Sequence, residues 1–129
     1  MLLILREYRQ AQAQVESERR VYGRLISLQE IDGVLLADGE LFPLLPVTRL
    51  GRSASNNVVI NDSYASSDHA VLTLRDGQWW LEDRQSRNGT TLNDVLVTQP
   101  VIMTDGDVIG IGRKRYRLDL DRQTLRKRP

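Results

Sequence analysis

Cysteine is absent from the 129 residues of this chain, and histidine occurs only once. The lack of cysteine excludes a disulfide framework, a thiolate nucleophile and a cysteine-ligated metal site. A single histidine cannot form a histidine metal cluster, so we expect no metal ion and no other cofactor. Because the side chains used by many enzyme classes are missing, we also expect that the protein is not an enzyme. The absence of cysteine is compatible with a cytoplasmic location but does not require one.

Long hydrophobic runs are also absent. The apolar run Met1–Leu5 ends at Arg6, whereas a membrane-spanning helix needs about 20 residues. The run is either the last turn of a span that begins before Met1 or a short apolar segment that packs on the domain. Apolar residues then recur at helical spacing at Tyr8, Ala11 and Val15, which predicts an amphipathic helix or linker over residues 1–21. This segment would lie next to the membrane in the first case.

Charge is unevenly distributed, although the net charge is only +1. The segment from Arg113 to Pro129 has eight basic and two acidic residues, which leaves 10 basic and 15 acidic residues before it. A basic end of this kind can contact nucleic acid or anionic lipid. The last nine positions, however, contain no aromatic residue on which bases could stack. We therefore predict a solvated basic tail over residues 121–129 and no nucleic-acid partner.

Short runs with β-type character fill the rest of the chain, residues 22–120. Hydrophobic residues make up 40% of the whole sequence, charged residues 27%, and the mean hydropathy is −0.38, as is typical of a soluble globular protein. Turn dipeptides such as Asp32-Gly33, Asp38-Gly39 and Asp76-Gly77 separate the runs. Leu41–Leu50 contains two prolines, which favours one bent or edge strand there. Many short strands joined by such turns predict an all-β sandwich or barrel.

Three polar clusters occur at the ends of these predicted strands, where loops can present side chains to a ligand. They are Gly51-Arg52-Ser53, the segment Tyr64–Ala70, which contains Ser66, Ser67 and His69, and the segment Asp83–Asn93, which contains Asn88-Gly89. The order Gly-Arg, Ser-x-x-His, Asn-Gly resembles the forkhead-associated (FHA) domain family. The resemblance extends over Leu44–Leu120 and includes Ile109-Gly110-Ile111-Gly112 near its end.

The resemblance implies an antiparallel β-sandwich of about 11 short strands whose loops at one end bind phosphothreonine peptides. It implies an adaptor in Ser/Thr kinase signalling, with phosphothreonine-containing proteins, either a kinase or its substrate, as partners. We accordingly expect a cytoplasmic protein, at the inner face of the membrane if the N-terminal segment is membrane-proximal. The residue types suit this use, because phosphate carries a charge of about −1.5 to −2 and three strong acceptor oxygens.

Site roles follow from the same resemblance, position by position. Arg52 looks like the guanidinium donor to the phosphate, and Ser66 looks like the hydroxyl donor beside it. Ser67 occupies a place that also faces the phosphate, and Arg87 adds positive charge just before the Asn-Gly pair. Asn88 resembles the residue that bonds the backbone of the bound peptide and holds it extended.

Three further residues resemble the family's structural supports of the site. Gly51 belongs to the Gly-Arg motif, and Gly89 would allow the tight turn that needs a positive φ. His69 would hold the binding loops by hydrogen bonds without touching the ligand. Asp68 departs from the family pattern, which often has a basic residue there. We expect its side chain to point away from the site, because consecutive side chains of an extended segment alternate.

Tyr64 lies two residues before Ser66, in the loop that senses the peptide residue third after the phosphothreonine in this family. Its ring face favours Ile, Leu or Val over Asp at that position, and we expect Asp62 to repel an acidic ligand residue. In the alternative interpretation, Tyr64 packs beneath the loop. A second functional hypothesis is a scaffolding β-sandwich without phosphate affinity, which Asp68 and the uncharged Ser67 favour. The third is nucleic-acid binding through the basic tail.

Overall fold

The computed structural model describes residues 22–120, so the predicted N-terminal helix and the predicted basic tail lie outside the described residues. Residues 22–120 form β-strands in two sheets and contain no helix, and hence none that is long and apolar enough to span a membrane. The predicted β-sandwich of about 11 short strands is therefore confirmed. The strands are β1 (Arg24–Ile31), β2 (Val34–Pro43), β3 (Val47–Gly51), β4 (Val58–Val59), β5 (Ala70–Arg75), β6 (Gln78–Asp83), β7 (Thr91–Leu92), β8 (Val95–Leu96), β9 (Val101–Met103), β10 (Val108–Ile111) and β11 (Lys114–Asp119).

The two sheets have the strand orders β2-β1-β11-β10-β7-β8 and β4-β3-β5-β6-β9. Within the described strands the pairings are antiparallel, except that β3 and β4 pair in parallel through Leu50 and Val58. Alternating apolar side chains from both sheets meet in one core, and burial of each such side chain contributes roughly 1.5 to 3 kcal/mol. Fully buried members of this core are Leu25, Leu50, Leu72, Leu81, Ile109 and Leu118.

The adjacent tryptophans on β6 face opposite sides of their sheet, as expected for neighbours on a strand. Trp79 is buried in the core, whereas Trp80 is half-buried and lies under the guanidinium of Arg75, 5.2 Å from the ring centroid. The expectation that at least one of the two is a core residue is confirmed.

Two predicted strand boundaries differ from the structure. Asp38-Gly39 does not separate strands but lies inside β2, opposite a register shift between Ile26 and Leu28 of β1. The extra residues form a bulge in which Gly39 has a φ of 97°, and Asp38 accepts a hydrogen bond of 2.8 Å from the Ser27 hydroxyl. The run Leu41–Leu50 is two strands, because β2 ends at Pro43 and β3 begins at Val47.

Candidate functional site

The first two polar clusters lie side by side at one end of the sandwich. The backbone N–H of Arg52 donates to the Ser66 carbonyl at 2.9 Å, and the N–H of Ser53 donates to the Ser67 carbonyl at 3.2 Å. Gly51 permits this close approach, because a Cβ at that position would collide with the Ser67 carbonyl oxygen. The side-chain amide of Asn56 also donates to the Ser67 carbonyl, at 2.7 Å. Sequence reasoning had given Asn56 no role.

Arg52 presents its side chain to solvent from this pair of loops. Its Nη1 donates one long hydrogen bond, 3.4 Å, to the carbonyl of Ser63. A guanidinium has five N–H donors, so most of them remain for a ligand. The contact with Ser63 places the guanidinium next to the start of the second cluster.

The third cluster is tied to the second through two side chains. Ser66 Oγ accepts a hydrogen bond of 2.9 Å from the backbone N–H of Arg87. Because the oxygen is the acceptor in that bond, the Ser66 hydroxyl proton remains available to donate elsewhere. The side-chain amide of Asn88 donates to the Tyr64 carbonyl at 2.9 Å, and the side chains of Arg87 and Asn88 are both exposed. The half-buried Ser66 therefore joins the backbones of Arg52 and Arg87, and both arginine side chains are exposed.

His69 supports this arrangement from inside the protein, where it is fully buried. Its Nδ1 accepts a hydrogen bond of 2.9 Å from the backbone N–H of Ser66, and its Nε2 lies 2.9 Å from the carbonyl oxygen of Gly89. The first bond requires an unprotonated Nδ1, so the ring proton lies on Nε2 and is donated to Gly89. The structure thus places His69 where the resemblance does, joining the second and third clusters beneath the surface.

A carboxylate that sequence reasoning missed organises the third cluster. Asp83 Oδ1 accepts hydrogen bonds from the Ser86 hydroxyl at 2.5 Å and from the Thr90 hydroxyl at 2.6 Å. The Ser86 hydroxyl oxygen in turn accepts from the Gly89 N–H at 2.9 Å, which fixes the turn where Gly89 has a φ of 88°. The sequence signal was available, because Asp, Ser and Thr at short spacing commonly bond the backbone of a turn.

We expect low pH to destabilise this turn, because protonation of the Asp83 carboxylate weakens the hydrogen bonds that it accepts. Burial raises the pKa of the Asp83 carboxyl, but the hydrogen bonds from Ser86 and Thr90 outweigh burial, so the net pKa is lowered. A carboxyl with a lowered folded pKa contributes stability above its unfolded pKa of about 3.9, and this stability is lost as the pH falls through the folded pKa. We expect Asp83→Asn to reduce the free energy of unfolding by about 1 kcal/mol at pH 7 and to flatten its decline below about pH 5. Urea unfolding between pH 3 and pH 7 measures both effects.

The matched control for this prediction is Asp76→Asn, which removes a carboxylate from the exposed β5–β6 turn. It should leave the pH dependence of the parent protein unchanged. If Asp83→Asn and Asp76→Asn gave the same acid dependence as the parent, the role assigned to the Asp83 network would be wrong.

Asp62 does not face the ligand surface, which corrects one sequence-based expectation. It is buried, its Oδ1 accepts from the Tyr64 N–H at 2.9 Å, and its Oδ2 accepts from the Arg113 N–H at 2.9 Å. These two bonds, that from Tyr64 first, lower the pKa of the Asp62 carboxyl despite its burial. Because its charge is enclosed and compensated, the expectation that Asp62 repels an acidic ligand residue is wrong.

Ser67 and Asp68 are both exposed beside the cluster. The Asp68 carboxylate lies 3.8 Å from Nε of Arg84, and both side chains are about half exposed. A pair of this kind contributes little to stability, but it partly compensates the negative charge near the candidate phosphate site. In residues 22–120 no group of three or more acidic, histidine or cysteine side chains could hold a metal ion. The surface instead offers guanidinium, hydroxyl and amide groups, a combination that suits an anion.

Comparison with known proteins agrees with this geometry. The sequence model of the FHA domain family matches residues 48–112. The chain belongs to the FHA domain family. It is 38% identical over 69 residues to the FHA domain-containing protein FhaB of Mycobacterium tuberculosis, an alignment that covers 54% of this chain and 44% of FhaB. It is also 38% identical over 80 residues to the ABC transporter ATP-binding/permease protein Rv1747 of the same organism, covering 60% of this chain and 9% of that protein.

Solved structures of FHA domains have the same fold. Mycobacterium tuberculosis EmbR in complex with a low-affinity phosphopeptide superposes with a TM-score of 0.65 at 25% identity, covering 77% of this chain and 25% of EmbR. The FhaA FHA domain, complexed with the intracellular domain of Rv3910, has a TM-score of 0.60 at 29% identity and covers 72% of this chain and 98% of that domain. The FHA fold is that of a binding module rather than a catalytic one.

Proposed function

We propose that this FHA domain binds phosphothreonine-containing segments of partner proteins and acts as an adaptor in Ser/Thr kinase signalling, without catalysing a reaction. The observation on which the proposal rests is that Ser66 joins the backbones of Arg52 and Arg87, two arginines with exposed side chains. Ser66 Oγ already accepts a hydrogen bond from Arg87, so its proton is available to a phosphate oxygen. Guanidinium and hydroxyl donors from different loops match the charge and the acceptor oxygens of a phosphate group.

The role of each neighbouring residue is part of the proposal. Arg52 makes the charged contact with the phosphate, Ser66 donates a hydroxyl bond beside it, and Ser67 and Arg87 complete the rim. Asn88 holds the peptide backbone with its side-chain oxygen and its second amide N–H, because only one of the two N–H groups is donated to the Tyr64 carbonyl. His69, Gly51 and Gly89 position the three loops and do not contact the ligand.

The relatives support the choice of ligand class. One matched structure is EmbR with a phosphopeptide, and another, with a TM-score of 0.63 at 27% identity, was determined for phosphothreonine-dependent FHA domain interactions. The chain spans less than half the length of FhaB. The proposed partner class, a Ser/Thr kinase or its substrate, therefore applies to this FHA domain and not to the activity of a whole protein such as FhaB.

The competing hypothesis is a scaffolding β-sandwich without phosphate affinity. Its argument from the sequence was the negative charge of Asp68 beside an uncharged Ser67. In the structure the Asp68 carboxylate lies near Arg84, while Arg52 and Arg87, whose backbones both bond to Ser66, have exposed side chains. The charge balance therefore favours phosphate binding over the scaffolding hypothesis.

Peptides that differ in a single group test the proposal. Fluorescence polarisation measures the binding of degenerate peptide libraries that differ only in the fixed central residue. We expect the library with phosphothreonine to bind and the library with threonine not to bind. Phosphoserine should bind about 1 kcal/mol more weakly than phosphothreonine, near the contribution of one buried methyl group. Equal binding of the threonine and phosphothreonine libraries would overturn the proposal. Equal binding of phosphoserine and phosphothreonine would show that the loops do not bury the methyl group.

A further inference from the structure

The turn at the rim of the candidate phosphate site contains a reactive pair of residues. The sequence has five asparagines, and Asn88 is the one that precedes a glycine. Because Gly89 has no side chain to shield its backbone nitrogen, that nitrogen can attack the side-chain amide of Asn88. Asn88 is also exposed, so water has access to the pair. The other asparagines precede residues that have side chains: Asn56, Asn57, Asn61 and Asn93.

The reaction of this pair is deamidation, which needs water and no enzyme. The Gly89 nitrogen forms a bond to Cγ of Asn88, and the side-chain nitrogen leaves as ammonia with the proton that the Gly89 nitrogen gives up. Water then opens the resulting succinimide ring at one of its two carbonyl carbons. One opening gives aspartate, and the other gives isoaspartate, in which the main chain runs through Cγ. Both products have a carboxylate where asparagine has an amide.

The native turn holds the two reacting groups apart by separate hydrogen bonds. The Gly89 N–H donates to Ser86 Oγ at 2.9 Å, and the side-chain amide of Asn88 donates to the Tyr64 carbonyl at 2.9 Å. The Gly89 carbonyl is bonded in turn to Nε2 of His69, at 2.9 Å. Ring closure requires the Gly89 peptide group and the Asn88 side chain to turn toward each other. Both of the first two hydrogen bonds must therefore break before the nitrogen can reach Cγ.

Conversion of Asn88 would change the site in two ways. An aspartate has no N–H to donate to the Tyr64 carbonyl, and its negative charge would repel a phosphate group bound nearby. An isoaspartate would in addition lengthen the main chain by one carbon, directly before the turn in which Gly89 has a φ of 88°. The bond from the Arg87 N–H to Ser66 lies immediately before that turn.

We propose that Asn88 is a deamidation site, that the native turn slows its reaction, and that conversion disables the phosphate site. The third part rests on the proposed function, whereas the first two parts do not. Ser86 is a positioning residue in this scheme, because its hydroxyl holds the attacking nitrogen. It is also the restraint that a substitution can remove, since the acceptor at Tyr64 belongs to the backbone.

Incubation of the parent protein at mildly alkaline pH, either folded or unfolded in urea, tests the first two parts. Mass spectrometry of peptic fragments locates each asparagine in which the side-chain NH2 is replaced by OH. We expect Asn88 to convert before the other four asparagines in urea. In the folded protein its conversion should be at least about tenfold slower, because two hydrogen bonds must break first. Asn88→Gln should not convert over the same time, because a glutamine would have to close a larger ring.

Substitutions of serine isolate the restraint. Ser86→Ala should convert about fivefold faster than the folded parent, because one of the two hydrogen bonds is lost. Ser86→Thr keeps a hydroxyl and should restore a slow rate. The matched control is Ser63→Ala, an exposed serine between β4 and β5, which should convert at the parental rate. Thermal unfolding checks that each variant is folded during the incubation.

Two results would overturn the first two parts. Earlier conversion of another asparagine in urea would show that Asn88 is not the reactive site. Equal rates in the folded and the unfolded parent, or a parental rate in folded Ser86→Ala, would show that the turn does not restrain the reaction. If Ser86→Ala does not fold, the comparison of folded and unfolded parent decides this point.

Asn88→Asp, which reproduces one product, tests the third part. We expect it to bind the phosphothreonine library at least about tenfold more weakly than the parent at low salt. Parental affinity of Asn88→Asp would overturn the third part and leave the proposed function intact. Loss of phosphothreonine dependence in the parent itself would overturn the proposed function and the third part together. The conversion rates would still decide the first two parts, because they are measured without a ligand.

Discussion

Arg52→Ala is expected to abolish binding of phosphothreonine peptides while the domain stays folded. The substitution removes the exposed guanidinium assigned to the phosphate, and each charged hydrogen bond contributes roughly 1.5 to 3 kcal/mol. Loss of two such bonds would weaken binding by at least about 100-fold. The fold should persist, because the backbone N–H of residue 52 still donates to the Ser66 carbonyl. Calorimetric titration measures the affinity, and thermal unfolding checks the fold.

Arg49→Ala is the matched control for the Arg52 prediction. Arg49 is an exposed arginine of β3, three residues earlier, and its substitution should leave the affinity unchanged. Ser66→Ala should have an intermediate effect, because it removes one uncharged donor and the acceptor for the Arg87 N–H. Binding by Arg52→Ala at the affinity of the parent would show that the phosphate site is assigned wrongly.

His69→Ala should have the second-largest effect. We expect it to lower both the free energy of unfolding and the affinity for the phosphopeptide. The substitution would leave the Ser66 N–H and the Gly89 carbonyl without their buried partner and would open a cavity beneath the loops. Unsatisfied buried groups cost about 1 to 3 kcal/mol each, so we expect the free energy of unfolding to fall by roughly 3 kcal/mol. Phosphopeptide affinity should fall as well, because the imidazole would no longer join the Ser66 loop to the Gly89 turn.

His69→Gln separates positioning from simple loss of the fold. A glutamine offers one acceptor and donors on the other atom of its amide, so it can replace part of both hydrogen bonds. We expect urea unfolding and peptide titration to place His69→Gln between the parent and His69→Ala in both quantities. If His69→Ala kept parental stability and parental affinity, the loops would not depend on the imidazole.

The meeting of the three polar clusters could be predicted from the sequence, because each cluster lies at a strand end and carries a recognisable motif. The hydrogen bonds of Arg52, Ser66 and Asn88 agree with that expectation. The division of Leu41–Leu50 between β2 and β3 could not be predicted, because two prolines are compatible with one bent strand or with two strands. Asp38-Gly39 has the pattern of a turn between strands, because a sequence pattern does not distinguish a glycine-containing bulge from a hairpin turn.

The sequence-based expectation about the charge of Asp62 fails because long-range contacts determine the surroundings of this side chain. The expected repulsion by Asp62 presupposes an exposed carboxylate, since a lone aspartate in a loop usually is exposed. Its two backbone donors are supplied by Tyr64 nearby and by Arg113, which is 51 residues away in the chain. The same long-range contact brings the guanidinium of Arg113 over the Tyr64 ring, 5.6 Å from its centroid. Such contacts depend on sheet order, which local periodicity does not determine.

The most direct test of the phosphate site is an amide-resolved NMR titration with a phosphothreonine peptide and with its unphosphorylated counterpart. We expect that the phosphorylated peptide shifts the backbone amides of Arg52, Ser66, Ser67, Arg87 and Asn88 most, with saturation, while the unphosphorylated peptide leaves them in place. Phosphate-dependent shifts centred instead on the exposed β1–β2 hairpin, or identical shifts with both peptides, would contradict it.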